Sequence, residues 1–323
     1  MAVLLFPGQG SQSPKMGEFL FKQFSIAKNT FAEASEALHI DMTKLCFEGT
    51  EAELALTENT QPALLCVSTA TQRVLTNEFG ITAEAAAGHS IGEYAALVAA
   101  GSISFSEAMK AVRIRGQAMQ SAVPVGQGGM MAVLGLDNDQ VEWLCEWTEK
   151  NSKHAPISPA NFNSPGQIVI SGSSHCLKWL RENFNAELIP GSPKRAKLIP
   201  LNVSAPFHCQ MMNPAQEKMK EVLNAISFNQ PKFPIIQNFN AAFVSDPSIL
   251  RQNLISQVSA PVLWTQTMSL LLEKSLILGI ECGHGQILKG LFKKMDAEKF
   301  QIFTTQSLED LELIKNHPDF RKN

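Results

Sequence analysis

Ala85-Ala86-Ala87-Gly88-His89-Ser90-Ile91-Gly92-Glu93-Tyr94-Ala95-Ala96-Leu97-Val98-Ala99-Ala100-Gly101 is the stretch that decides the fold. Its first four residues are a short strand candidate. Residues 91–100 form an alanine-rich helix ended by Gly101. Between the two, Gly88-His89-Ser90-Ile91-Gly92 occupies a strand-to-helix turn, the context that a nucleophile elbow requires. The glycines permit a tight turn that leaves the Ser90 hydroxyl exposed. The helix N-terminus aims backbone N–H groups at any developing oxyanion. The plainer reading is a glycine–serine turn capping a helix.

Working outward, the same alternation continues. Ala2–Phe6 is an apolar run closed by Pro7-Gly8 and reads as a buried strand. Residues 61–79 read as a helix, with Thr60 as N-cap, Pro62 in the first turn and Gly80 past the end. Ser104 and Glu107 make a capping box for a helix running to about Val123. Strand-length runs alternating with helices predict an α/β fold, a largely parallel sheet covered by helices. The texture changes at the glycine-rich hinge Pro124-Val125-Gly126-Gln127-Gly128-Gly129. Strand, helix, strand, strand, helix and strand then follow at 130–136, 138–150, 157–162, 167–171, 175–185 and 197–201. That βαββαβ order is ferredoxin-like. We therefore expect a small domain at 127–198, inserted into a large α/β domain formed by 1–126 and 199–310, with 311–323 as a polar tail.

The chain has 323 residues, 45% hydrophobic and 18% charged, which is enough to build a sizeable core and excludes disorder. A net charge of -3 argues against a nucleic-acid binder. No basic segment precedes the apolar start, so no signal peptide is expected. No apolar run is long enough for a membrane helix. Six scattered cysteines without a CxxC pair give no zinc site and fit reduced thiols in a cytoplasm.

A nucleophilic serine needs a base. His89 adjoins Ser90, and its side chain should diverge from that of the serine. His39, His154, His175 and His317 lie in polar or terminal contexts and read as surface residues. His208, after a strand in Asn202–Cys209, and His284, in Cys282-Gly283-His284-Gly285, remain, and periodicity alone does not choose between them. Pro7-Gly8-Gln9-Gly10-Ser11 lacks the ending of a P-loop, but its turn can bring a second N–H to the elbow. On the 104–123 helix, Ser106, Lys110, Arg113 and Gln117 share a polar face. Ala108, Ala111, Val112, Arg115 and Met119 share the apolar one. Arg115 is therefore the one charge on a core-facing stripe. It reads as either a structural ion-pair residue or a clamp on a substrate carboxylate. Lys194, Arg195 and Lys197, with Lys289, Lys293 and Lys294, give local positive charge that is either a solvated face or a docking patch for an acidic partner.

Together these residues resemble the malonyl-coenzyme A:acyl carrier protein transacylase family of fatty-acid and polyketide synthesis. The resemblance covers about residues 1–310. It is carried in order by FPGQGSQ (6–12), TQPAL (60–64), GHSIGEY (88–94), RGQAMQ (115–120), NFNSPGQ (161–167), SAPFHC (204–209) and PVLW (261–264). It implies an α/β-hydrolase-like large domain with an inserted ferredoxin-like small domain. It implies Ser90 as the acylated nucleophile, His208 as base, and Gln257 orienting the histidine through a carbonyl. Gln9 and Ile91 would supply the oxyanion N–H groups, and Arg115 would hold the malonyl carboxylate. Gln61, Asn161, Asn163 and Phe207 match positions near the substrate. His284 stands where the family usually carries proline and stays open as a competing base.

The resemblance further implies a cytoplasmic enzyme without metal or organic cofactor. Its partners would be malonyl-coenzyme A and acyl carrier protein, with no nucleic acid or membrane, and it would act as a monomer. Three alternatives stand beside it: a discrete acyltransferase supplying a polyketide synthase, a serine hydrolase using Ser90, Asp246 and His284, and a catalytically silent carrier-binding scaffold.

Overall fold

The computed structural model describes residues 1–193, 195–203 and 205–320. Its strands are β1 (Ala2–Phe6), β2 (Ala83–Gly88), β3 (Gly128–Leu134), β4 (Ile157–Ser164), β5 (Gln167–Ser173), β6 (Lys197–Pro200), β7 (Ile235–Ile236), β8 (Phe243–Val244), β9 (Leu278–Glu281) and β10 (Gln301–Phe303). One sheet has the order β10-β9-β1-β2-β7-β8, parallel throughout except for the antiparallel edge strand β8. The other has the antiparallel order β4-β5-β3-β6. Numbered within its own segment, that order is 2-3-1-4, the ferredoxin-like arrangement, with the helices Asn138–Ser152 and Ser174–Asn183 as its crossovers. β2 and β7 are neighbours in the first sheet, yet the whole second sheet lies between them in the chain.

β1 shows why its sequence is continuously apolar. Side chains alternate across a strand. Ala2, Leu4 and Phe6 enter the main core, while Val3 and Leu5 enter a second core with Val262, Trp264 and Phe292. Both faces are covered by helices, so no position on the strand is polar.

Several boundaries differ from the sequence reading for definable reasons. The long helix begins at Thr57, not near 61, so Thr60 is buried within it and does not cap it. Pro62 cannot donate to the Glu58 carbonyl four residues earlier. Arg113 Nη1 takes that carbonyl instead, at 2.7 Å, and lies 2.6 Å from Asn59 Oδ1, while Nη2 pairs with the Glu58 carboxylate at 3.0 Å. Arg113 thus bridges two helices from the polar face on which its spacing put it. Gly128 and Gly129 belong to β3, and a Cβ at Gly128 would lie 2.4 Å from Pro206 Cγ, which brings this strand against the His208 loop. At the other end, the expected polar tail is packed. Leu308–Asn316 is helical, and Leu311, Ile314 and Phe320 are buried in the main core. Two apolar residues three apart, among many charges, were too sparse a stripe to read. Among the described residues, no helix is long and apolar enough to cross a membrane.

Candidate active site

The elbow is built by close packing. A Cβ at Gly88 would meet the Gly92 backbone at 2.0 Å, and one at Gly92 would meet the Phe6 carbonyl at 2.2 Å. β2 can therefore turn directly into the helix Gly92–Ala99 against the end of β1. Ser90 sits at the apex with φ +52°, and His208 has φ +58°. Two non-glycine residues held in the left-handed region face each other, a concentration of strain typical of functional sites.

Ser90 Oγ lies 2.7 Å from His208 Nε2. The other ring nitrogen, Nδ1, faces two carbonyl oxygens, Gln257 at 3.0 Å and Ala260 at 3.2 Å. Carbonyls only accept, so Nδ1 carries the proton and Nε2 is bare to accept from the serine hydroxyl. Burial, and then the nearby Arg115 charge, pull the pKa of His208 down to about 3. The imidazole is neutral and poised as a base.

Arg115 is almost fully buried. Its Nη2 donates to Ser90 Oγ at 3.2 Å and to Gln257 Oε1 at 3.0 Å. Among the described residues no carboxylate pairs with it, and its Nε has no hydrogen-bond partner. Such a group retains unspent donors for an anion. Among the described residues, then, no direct ion pair accounts for its burial.

These groups border a cavity of about 200 Å³ lined also by Gln9, Gln61, His89, Ile91, Asn161, Asn163 and Phe207. The Ser90 amide is taken by Asn238 Oδ1 at 2.7 Å, whereas Ile91 caps the helix N-terminus. Gln61 is buried, with Nε2 3.8 Å from Met119 Sδ and its Oε1 unpartnered. Asn163 Oδ1 lies 2.8 Å from His89 Nε2, so it ties the elbow to β4. Asn161 bridges to Val262, which joins β4 to the PVLW segment. Gln257 lies behind the cavity wall, where its side chain meets Arg115 and its carbonyl meets His208.

The competing residues stand elsewhere. His284 Nε2 is 2.7 Å from Ser13 Oγ. Asp246 is exposed, capping the helix Pro247–Ser256 through Ser248 and Ile249. His39, His154 and His175 are exposed, but His317 packs between Phe303 and Phe320. Of the basic residues, Lys194 lies outside the described residues and Lys294 bonds Gln167. Lys289 and Lys293 line a separate cavity beside β10. The cations that adjoin the reactive cavity are ones the sequence did not mark. Lys178 and Arg181 line a recess sharing Met130, Leu201 and Val203 with it.

Three polar residues were also missed. Glu93, Gln237 and Asn238 are fully buried behind Ser90, and Gln237 and Asn238 each donate to the Glu93 carboxylate. A lone acid on an otherwise apolar helix was the available signal for Glu93, the same signal that picked out Arg115. All six cysteines are buried and free. Among the described residues no cluster of His, Cys, Asp or Glu could hold a metal ion.

A strained serine at a strand-to-helix elbow, a neutral histidine on carbonyl acceptors and a buried guanidinium without an ion-pair partner among the described residues form an arrangement chemically suited to acyl transfer. The acyl transferase domain family matches residues 3–320, and the chain belongs to this family. It is 42% identical over 310 residues to the malonyl CoA-acyl carrier protein transacylase of Bacillus subtilis, covering 96% of this chain and 94% of that protein. It is 40% identical over 291 residues to the protein of that name from Salmonella typhimurium, covering 90% and 91%. Among solved structures, the acyl-carrier-protein S-malonyltransferase of Burkholderia pseudomallei superposes with TM-score 0.90 at 38% identity, over 98% of this chain and 100% of that one. A malonyl-transacylase solved in complex with a type II polyketide synthase acyl-carrier protein gives TM-score 0.89 at 38% identity, over 96% and 97%.

Proposed function

We propose that this protein transfers the malonyl group from malonyl-coenzyme A to the phosphopantetheine thiol of acyl carrier protein, in fatty-acid synthesis. The observation that carries the reading is Arg115: a buried guanidinium, 3.2 Å from the candidate nucleophile, with no carboxylate in ion-pair contact among the described residues. Malonyl thioesters end in the carboxylate that this group lacks.

Ser90 Oγ attacks the thioester carbonyl as its proton passes to His208 Nε2. The Gln9 and Ile91 N–H groups stabilise the tetrahedral oxyanion. Collapse breaks the C–S bond, and His208 returns the proton to the departing coenzyme A thiolate. The malonyl-serine ester then meets the carrier thiol. His208 takes the thiol proton, the sulfur attacks, and Ser90 leaves reprotonated. Gln257 holds the histidine through its main-chain carbonyl in place of a triad acid. Gln61, Asn161, Asn163 and Phe207 shape the acyl pocket.

No organic cofactor or metal enters this chemistry, because the protein groups supply both base and oxyanion stabilisation. We place the two-step reaction in the cytoplasm, a reading that the six free cysteines support. We take 1–126 and 199–310 as the catalytic body, extended by the packed segment 311–320, and 127–198 as the inserted unit.

The selectivity of the Arg115→Ala variant tests the reading. Malonyl transfer should fall by about 30- to several-thousand-fold, the range for breaking a desolvated charge pair. Transfer from acetyl-coenzyme A should be spared, having no carboxylate to leave unpaired. Equal loss with both substrates would refute the malonyl assignment.

A further inference from the structure

Glu93 lies fully buried on the first turn of the helix after the elbow, and the reaction described above does not use it. Its Oε2 accepts from the Asn238 amide at 2.7 Å and from Gln257 Nε2 at 3.0 Å, and its Oε1 accepts from Gln237 Nε2 at 3.0 Å. Gln257 continues the line. Its Oε1 accepts from Arg115 Nη2 at 3.0 Å, while its Nε2 also donates to the Ser90 carbonyl at 3.1 Å. Asn238 in turn holds the elbow from both sides, accepting from Ser90 N–H and donating to the Gly88 carbonyl, each at 2.7 Å. Glu93 is thus the negative charge facing Arg115 across a single amide group.

A glutamine side chain fits its site either way round unless its neighbours decide. An ionised carboxylate only accepts, so it draws the Gln257 NH₂ toward itself and turns Oε1 toward Arg115. In the reversed amide, Nε2 would face Nη2, donor against donor. Burial raises the pKa of the Glu93 carboxyl, while the three N–H donors and the Arg115 charge act against that rise.

We propose that Glu93 is a positioning residue that fixes the orientation of the Gln257 amide, and through it the aim of the Arg115 guanidinium at the substrate carboxylate. The proposal rests on the malonyl-transfer reading. It assigns Glu93 to acyl-group selectivity rather than only to holding the elbow together.

The test is a double-mutant cycle on the purified full chain, with malonyl- and acetyl-coenzyme A as donors. Glu93→Gln keeps the shape but gives an amide that cannot accept from all three donors. It should lower kcat/KM for malonyl by about 10- to 100-fold, the scale of a mispositioned reacting group. Acetyl transfer should fall by less than about threefold, and adding Glu93→Gln to Arg115→Ala should cost less than about threefold, because coupled residues are not additive. Equal losses with both donors, or the same penalty on both backgrounds, would overturn the proposal. Should Glu93→Gln fail to fold by circular dichroism, Gln257→Leu cuts the same relay while keeping the main-chain carbonyl on His208. It must then reduce the malonyl-to-acetyl ratio similarly, and an unchanged ratio overturns the idea. A malonyl preference that survives Arg115→Ala defeats the functional reading itself. One that is lost in Arg115→Ala but kept in Glu93→Gln defeats only the present proposal.

Discussion

Arg115 Nη2 stands 3.2 Å from Ser90 Oγ, so the buried guanidinium and the candidate nucleophile share one hydrogen bond. A guanidinium in that place both favours developing negative charge on the oxygen and orients an acyl group bearing a carboxylate. Arg115→Lys should recover only part of the malonyl activity lost in Arg115→Ala. A single ammonium cannot reach Ser90, Gln257 and a carboxylate with the planar fork of a guanidinium. Full activity in the lysine variant, measured as kcat/KM for malonyl-coenzyme A, would count against bidentate recognition.

Arg113, two residues away, gives the contrasting case. It bridges to the Glu58 carbonyl, Asn59 and the Glu58 carboxylate, across the gap that Pro62 leaves in its helix. Arg113→Ala should destabilise the fold by about 0.5–1.5 kcal/mol, the net worth of a partly buried hydrogen bond. It should leave the malonyl-to-acetyl ratio unchanged. Thermal unfolding together with the two transfer rates checks both halves, and an altered ratio without a lower Tm would contradict the assignment.

His208→Ala should lose about 100- to 10,000-fold in acylation rate, as expected for a general base. His284→Ala should change the rate far less, since His284 bonds Ser13 and lies outside the reactive cavity. The reverse ranking would restore the alternative base.

The pH dependence follows from the burial of His208. Its folded pKa, about 3, lies below the ordinary 6.5. The base therefore stays deprotonated, and acylation should not show an acid limb near 6.5. Stability carries the opposite consequence. Below 6.5 the unfolded chain binds a proton at this histidine and the folded chain does not, until the pH approaches 3. The contribution is full above 6.5 and is lost as pH falls toward 3. The stability advantage of wild type over His208→Ala should accordingly shrink as pH is lowered through that window. An advantage that grows on acidification would show that the folded histidine is protonated.

Charge reversal at Lys178 and Arg181, whose recess adjoins the reactive cavity, should slow transfer to carrier protein at low salt. It should change transfer to pantetheine little, because steering acts on the charged protein partner. Reversal at Lys289 and Lys293, which line a separate cavity, should have the smaller effect on the carrier. Equal effects on carrier and pantetheine would exclude docking through this recess.

Much of the architecture was legible because it is written in local periodicity. β1, the elbow and the βαββαβ order all stand on short-range signals of strand, turn and cap. Boundaries failed where a distant residue supplied what the local chain lacks. Pro62 is tolerated inside a helix because Arg113, from another helix, satisfies the carbonyl that the proline cannot. In the site, Ser90 and Arg115 were visible as a turn nucleophile and a misplaced charge, and the choice of His208 came from the resemblance. Gln237 and Asn238 gave no such sign. Their roles arise from contacts with Glu93 and Ser90 across more than 140 residues of chain, which no spacing rule reaches.

The most direct measurement follows labelled malonyl on the protein. Incubated with radiolabelled malonyl-coenzyme A, the wild-type chain should take up label at Ser90, and Ser90→Ala should take up none while folding normally. Added carrier protein should then discharge the isolated malonyl-enzyme much faster than buffer alone, with label recovered on the carrier thiol. Label that persists in Ser90→Ala, or that leaves as free malonate at the same rate with and without carrier, would contradict the transfer mechanism.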